Sequence, residues 1–138
     1  MIPSVVLDTN VVVSALLKPQ GREDQVLRLA LAGRLLLCVS PQVLAEYSRV
    51  LSSPKFKFQP GEVAMALRQL EKAGSLFHPA RILRISEHES NNCFYECADA
   101  AQAAFLVTGN LSHFKEDYQA TKIVNARKLL DLLATGQI

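Results

Sequence analysis

The sequence predicts an α/β fold, a three-layer α/β/α sandwich around a central, mainly parallel sheet. Three observations predict it. Short, continuous apolar runs rich in β-branched residues recur at 4–7, 35–39, 105–108 and 123–124, the pattern of strands buried on both faces. Between them lie segments with apolar residues at helical spacing, so strand and helix alternate as parallel crossovers require. Finally, the 138 residues are 49% hydrophobic, enough for one substantial core and one domain spanning 1–138.

In order, residues 4–7 form a first strand stopped by Asp8, which places a carboxylate at the end of a strand, where open α/β sheets bind ligands. A helix is expected over 24–32, with Gly33 as its stop. After the strand at 35–39, Ser40-Pro41 supplies a hydroxyl cap and a first-turn proline, so 41 to about 52 is helical. Ser52-Ser53-Pro54 ends that helix. The next runs over 60–72, with Val63, Leu67 and Leu70 on one side. Leu76 and Phe77 are assigned to a short third strand, and 87–92 to a polar loop. An alanine-rich helix at 93–104 leads into the strand at 105–108, which Gly109 terminates. A polar loop runs to Gln119. Ile123 and Val124 then form the last strand, and Asn125 caps a closing helix built on Leu129, Leu130, Leu132 and Leu133.

The net charge of +2, from 15 basic and 13 acidic residues, excludes little. Its distribution says more. Arg49, Lys55, Lys57, Arg68, Lys72, Arg81 and Arg84 face only Glu62 and Glu71 in the same stretch, whereas Glu87, Glu89, Glu96 and Asp99 follow closely. A basic surface beside an acidic pocket suits a polyanion held next to metal, and a solvated helix face gives the same pattern. Cys38, Cys93 and Cys97 form no CxxC pair and no disulfide framework; Cys93 and Cys97, one helical turn apart, are expected as buried small hydrophobes. The start of the chain lacks a basic leader, and no apolar run reaches the ~20 residues of a membrane span. A cytoplasmic protein with no membrane partner is expected.

Four segments can carry chemistry. Asp8-Thr9-Asn10, with Ser14 downstream, sits at a strand end, where the carboxylate either faces a cleft or caps a helix. Glu46 borders the apolar stripe of Leu44, Tyr47 and Leu51. Asn91-Asn92 leads into a helix on which Glu96 and Asp99, three residues apart, share a face. Such a pair holds Mg2+ or Mn2+ through hard oxygens, or merely complements the helix dipole. Thr108-Gly109-Asn110 leaves a strand that reaches the same cleft if it neighbours the first. His113 reads as an exposed turn residue. In Pro54-Lys55-Phe56-Lys57-Phe58, lysines interleave with aromatics, as in a contact for unpaired bases or an anchored loop.

Together these segments resemble the PIN-domain family over nearly the whole chain. The residues carrying the resemblance are Val5 to Val11 with Ser14-Ala15, Ser40-Pro41, Ala45-Glu46-Tyr47, Leu51 to Phe56, Asn91-Asn92, Phe94 to Ala98, Ala103-Ala104, Leu106 to Asn110 and His113-Phe114. The branch is similar to the VapC-type toxins of bacterial toxin–antitoxin pairs. The resemblance implies carboxylates that gather Mg2+ or Mn2+ and water activated to attack an RNA phosphodiester. By position, Asp8, Glu46, Asn91, Glu96 and Asn110 are the catalytic set. Asp8, Glu46, Glu96 and Asp99 are metal ligands, and Asn10, Ser14, Asn92 and Thr108 are supporting polar groups. Independently of the resemblance, the interleaving of Lys55 and Lys57 with aromatics makes them the expected RNA contacts, with an anchored loop as the alternative. The implied partners are RNA and a cognate antitoxin, and a homodimer is compatible with the pattern.

Two departures qualify this. Asn91 stands where the family commonly has Asp, and Asn110 replaces the aspartate of Thr-Gly-Asp. An amide oxygen can ligate Mg2+ but neutralises no charge, so the expected activity is an attenuated metal-dependent endoribonuclease. The alternative is a catalytically weak PIN domain that binds RNA or a protein. A phosphoacceptor role for Asp8 fits less well, because no second acid adjoins it in sequence.

Overall fold

A computed structural model of the protein describes residues 2–114 and 117–138. The chain forms β1 (Ser4–Leu7), α1 (Thr9–Leu17), α2 (Arg22–Leu31), β2 (Leu36–Val39), α3 (Pro41–Leu51), α4 (Pro60–Ala73) and β3 (Ser75–Leu76). It continues with α5 (Asn92–Ala101), β4 (Phe105–Val107), β5 (Lys122–Val124) and α6 (Ala126–Ala134). The five strands make one sheet in the order β3-β2-β1-β4-β5, and every pairing is parallel. The expected α/β architecture is therefore present. The β1-to-β2 and β3-to-β4 crossovers run in opposite directions across the sheet, so right-handedness puts their helices on opposite faces.

Hydrophobic burial explains the strands. Val5, Val6, Leu7, Leu37, Leu106 and Val107 are all fully buried, because helices cover the sheet on both sides and leave no wet face for polar alternation. α3 starts as expected, with Ser40 Oγ accepting from the Val43 amide at 3.1 Å and Pro41 in the first turn. Gln59 and Glu62 form a reciprocal capping box on α4, while Asn125 Oδ1 caps α6 through the Lys128 amide at 2.8 Å.

The local pattern assigns no element to residues 9–17, and they form α1 directly after Asp8; burial of Val11, Val12 and Val13 outweighs their small intrinsic preference against helix. Two expectations need revision. α5 starts at Asn92 and ends at Ala101 rather than running over 93–104, because Gln102 takes the left-handed conformation (φ 51°) and turns the chain into β4. The loop at 87–92 contains a 3-10 turn, Glu89–Asn91. Part of the loop expected before Gln119, residues 115 and 116, lies outside the described residues. Among the described residues no helix is long and apolar enough to cross a membrane.

Candidate active site

The sheet order reverses direction between β1 and β4. At such a switch point the helices diverge and leave a crevice outside the carboxyl ends of the strands. Asp8 and Thr108 end these two neighbouring strands. The Asp8 amide donates to Val107 O at 2.8 Å, and Thr108 Oγ1 donates to Asp8 Oδ2 at 2.8 Å. The fully buried threonine thus fixes the rotamer of the carboxylate. Asp8 itself is only 7% exposed, and among the described residues no lysine or arginine pairs with it. Burial raises its pKa; the Thr108 and Thr9 hydrogen bonds and the charge of His113 act against the rise, and nearby Glu46 adds to it.

Glu46 reaches the crevice because of its neighbour in α3. The fully buried Tyr47 donates its hydroxyl to Leu7 O at 2.6 Å, tying α3 to the end of β1. Glu46 is also forked by Arg49, at 3.1 Å from Nε and 2.5 Å from Nη2. Asp8, Asn10, Ser14, Glu46, Asn91 and His113 line one open cleft of about 410 Å3, to which Phe56 and Phe94 add apolar wall. Asn10 Oδ1 accepts from the Gly109 amide at 2.9 Å, joining the first turn of α1 to the turn after β4. Thr9 Oγ1 is buried in this wall without a hydrogen-bond partner among the described residues.

The remaining expected site residues are occupied elsewhere. Asn92, 6% exposed, accepts from the Ile85 and Ser86 amides at 3.1 and 2.8 Å and donates to Ser86 O at 3.2 Å. Glu96 Oε2 accepts from the Leu83 amide at 2.9 Å. Asp99 is clasped by Arg81 and accepts from Tyr118 at 3.0 Å; the Arg81 guanidinium holds its carboxyl below the usual carboxylate range. These three lie at i, i+4 and i+7 on α5, one ridge of the helix. Together they strap the irregular segment 81–86 along it. Neither Glu96 nor Asp99 lines the cleft of Asp8, and a ligand reading from helical spacing alone overlooks the competing amides. Arg49 and Arg81, read as part of a basic surface, are neutralised in these pairs.

Asn110 is not free either. Its Oδ1 accepts from Ser112 Oγ at 2.6 Å and its Nδ2 meets His113 Nδ1 at 3.0 Å. His113 is exposed, as a turn residue should be, yet it borders the cleft. The available signals were its three-residue spacing from Asn110 and its place among the residues that carry the family resemblance. Lys55 and Lys57 are exposed beside the cleft wall, with Lys55 Nζ 5.5 Å from the Phe56 ring and Phe56 stacked on Phe58 at 6.0 Å. The cysteines are free; burial raises the Cys93 and Cys97 thiols to about 12, so they stay protonated. Among the described residues no three His, Cys, Asp or Glu side chains are grouped closely enough to hold a metal ion.

A five-stranded parallel sheet with an acid at its switch point defines a class, the α/β domains with a crevice at the carboxyl edge of the sheet. Within it, this chain belongs to the PIN domain family, whose model matches residues 4–112. It is similar to the uncharacterized protein MJ1680 of Methanocaldococcus jannaschii, with 29% identity over 126 residues, covering 88% of this chain and 81% of that protein. Its fold is similar to a chain of VapBC2 from Rickettsia felis bound to a DNA fragment from their promoter. That match has a TM-score of 0.61 and 20% identity, and covers 88% of this chain and 98% of the other.

Proposed function

We propose that this PIN domain is an endoribonuclease of toxin type that holds one divalent cation, Mg2+ or Mn2+, weakly and cleaves RNA phosphodiesters slowly. The observation that carries the reading is Asp8, a buried carboxylate at the switch point with no cationic side chain paired to it among the described residues, facing Glu46 across an open cleft. Burying such a charge is costly unless something neutralises it. The donor set fits one ion better than two. Asp8 and Glu46 supply two carboxylates, Asn91 adds an amide oxygen, and Mg2+ is commonly held by one or two carboxylates with water completing its shell. When bound, the ion would supply charge for the phosphodiester and acidity for water.

The protein's own groups do the rest. Thr108 fixes Asp8, Tyr47 fixes α3 and with it Glu46, and Asn10 and Ser14 offer hydrogen bonds to a phosphate or a ribose hydroxyl. Phe56 offers a face for an unpaired base. A cognate antitoxin is the proposed protein partner, supported by the fold likeness to VapBC2. A second reading, an RNA- or protein-binding module without cleavage, is favoured by Asn91, by Asn110 and by the Arg49 clasp on Glu46.

Calorimetric titration with Mg2+ and Mn2+, combined with cleavage of structured RNA, separates the two. The nuclease reading expects weak Mn2+ binding and slow cleavage, both lost in Asp8→Asn. RNA binding without metal uptake or cleavage would establish the second.

A further inference from the structure

The turn after β4 holds an arrangement that a lost metal ligand does not explain. Asn110 uses both ends of its amide: the oxygen takes the Ser112 hydroxyl and the nitrogen meets His113 Nδ1. In this orientation the amide's NH2 faces Nδ1; an NH2 group only donates, so the orientation pairs with an accepting Nδ1 and a ring proton on Nε2, whereas the flipped amide, with its oxygen toward the ring, would pair with a proton on Nδ1. The backbone is fixed as well, because the Asn110 amide donates to Thr108 Oγ1 at 3.0 Å, and that same hydroxyl donates to Asp8. A chain of hydrogen bonds therefore runs from the buried acid through Thr108 and Asn110 to the histidine ring.

His113 stands on the partition between two hollows. One is the cleft of Asp8; the other is lined by Ser86, Glu87, His88 and Ser112. The His88 ring lies against it at 4.1 Å between centroids, tilted 33°, which restrains its rotation. Among the described residues, the charged and titratable groups that line the two hollows with the ring are Asp8 and Glu46 on the cleft side and Glu87, His88 and Tyr95 on the other. With Nδ1 taken and one face covered, Nε2–H is the polar group the ring has left to offer.

We propose that Asn110 is a positioning residue that locks His113 in the Nε2–H tautomer, so that the ring donates to a phosphate oxygen of the RNA in the cleft. The phosphate half rests on the ribonuclease reading; the tautomer half does not. An aspartate at position 110 would do the reverse, since a carboxylate only accepts and would draw a proton onto Nδ1. The amide thus has a use that the acid lacks.

Nitrogen-15 NMR of the imidazoles in the full-length protein, above the pH of ring titration, reads the tautomer directly, with His113→Gln assigning the signals. Wild type should show an unprotonated Nδ1 and a protonated Nε2. Asn110→Asp should protonate Nδ1, and Asn110→Ala should admit the other tautomer. A 2′-O-methyl oligoribonucleotide, which resists cleavage, should shift the Nε2 resonance. In cleavage assays His113→Ala should lower kcat roughly tenfold to a hundredfold, the range of a lost hydrogen bond to a charged group, with Mn2+ affinity unchanged.

A proton on Nδ1 in wild type, or no change in Asn110→Asp, would overturn the lock. An oligonucleotide that perturbs Asn91 and Phe56 amides but leaves Nε2 unmoved would overturn the phosphate role. An oligonucleotide that does not bind anywhere would overturn the ribonuclease reading and the phosphate role with it, and the tautomer signals would still report on the lock.

Discussion

Two pairs of carboxylates in this protein meet different fates. Asp8 and Glu46 come from separate elements and face each other across an open cleft, and Asp8 has a hydroxyl, not a cation, as its partner among the described residues. Glu96 and Asp99 come from one helix, and each is claimed by the protein itself, through the Leu83 amide and the Arg81 guanidinium. The difference of satisfaction lies in Asp8, since Arg49 forks Glu46 as Arg81 clasps Asp99. A carboxylate whose acceptor sites are filled by backbone amides and guanidinium contributes to folding, whereas a buried one without a counter-charge destabilises the fold and is kept for function. Proximity in sequence, which makes Glu96 and Asp99 look like ligands, does not separate the cases.

The largest expected effect breaks the first pair. Asp8→Asn should reduce cleavage by more than the ~10–100-fold that loss of an outer-shell partner costs a metal site, measured with Mn2+ on structured RNA. The same change should raise stability at neutral pH. Asp8's folded pKa lies above its ordinary 3.8, so its contribution favours the fold fully below that ordinary value and is lost as pH rises through the raised one. Thermal melts should show Asp8→Asn gaining over wild type between acid and neutral pH. If it melts lower at pH 7, Asp8 is a structural acid like Asp99.

Next in size is the strap. Asn92→Ala would leave the half-buried Ile85 and Ser86 amides without their acceptor, a loss of about 1 kcal/mol for each hydrogen bond, read as a Tm several degrees lower, with Mn2+ binding intact. Asp99 reverses the pH dependence of Asp8. Its pKa is lowered by Arg81, so the stabilisation is present above the ordinary value and fades as pH falls through the lowered one. Asp99→Asn should therefore flatten the acid limb of the stability curve. Loss of Mn2+ binding in Asp99→Asn or Glu96→Gln would place the α5 ridge in the site.

A smaller change sharpens the contrast. Asn91 lines the cleft and makes no side-chain hydrogen bond among the described residues, so Asn91→Asp should add an unclaimed carboxylate and tighten Mn2+ by roughly tenfold, the direction in which ligand charge tunes affinity. Asn110→Asp should add much less, because Ser112 and His113 hold that side chain. Calorimetry on the single and double variants distinguishes the two positions. Smallest is the effect of Lys55→Ala with Lys57→Ala. On single-stranded RNA it should flatten the salt dependence by about 0.7 in log–log slope for each phosphate that the lysines no longer neutralise. An unchanged slope would leave the two lysines no part in binding.

The strands and most of the helices are legible in the sequence. Continuous apolar strands, the Ser40-Pro41 cap and the leucines of α6 are local signals, and each is decided within a few residues by burial, capping and periodicity. The sequence also placed Asp8 and Thr108 at strand ends. Local signals were silent over α1, whose valines weakly disfavour helix until the core buries them in one. Folding in three dimensions settles which polar groups are already spoken for. Glu96, Asp99 and Asn92 are claimed by a segment up to 18 residues away, and Asp8 is oriented by a threonine 100 residues away. Partners brought together by folding leave no trace in local spacing, because a hydrogen bond depends on distance in space, and only the packed chain sets that distance.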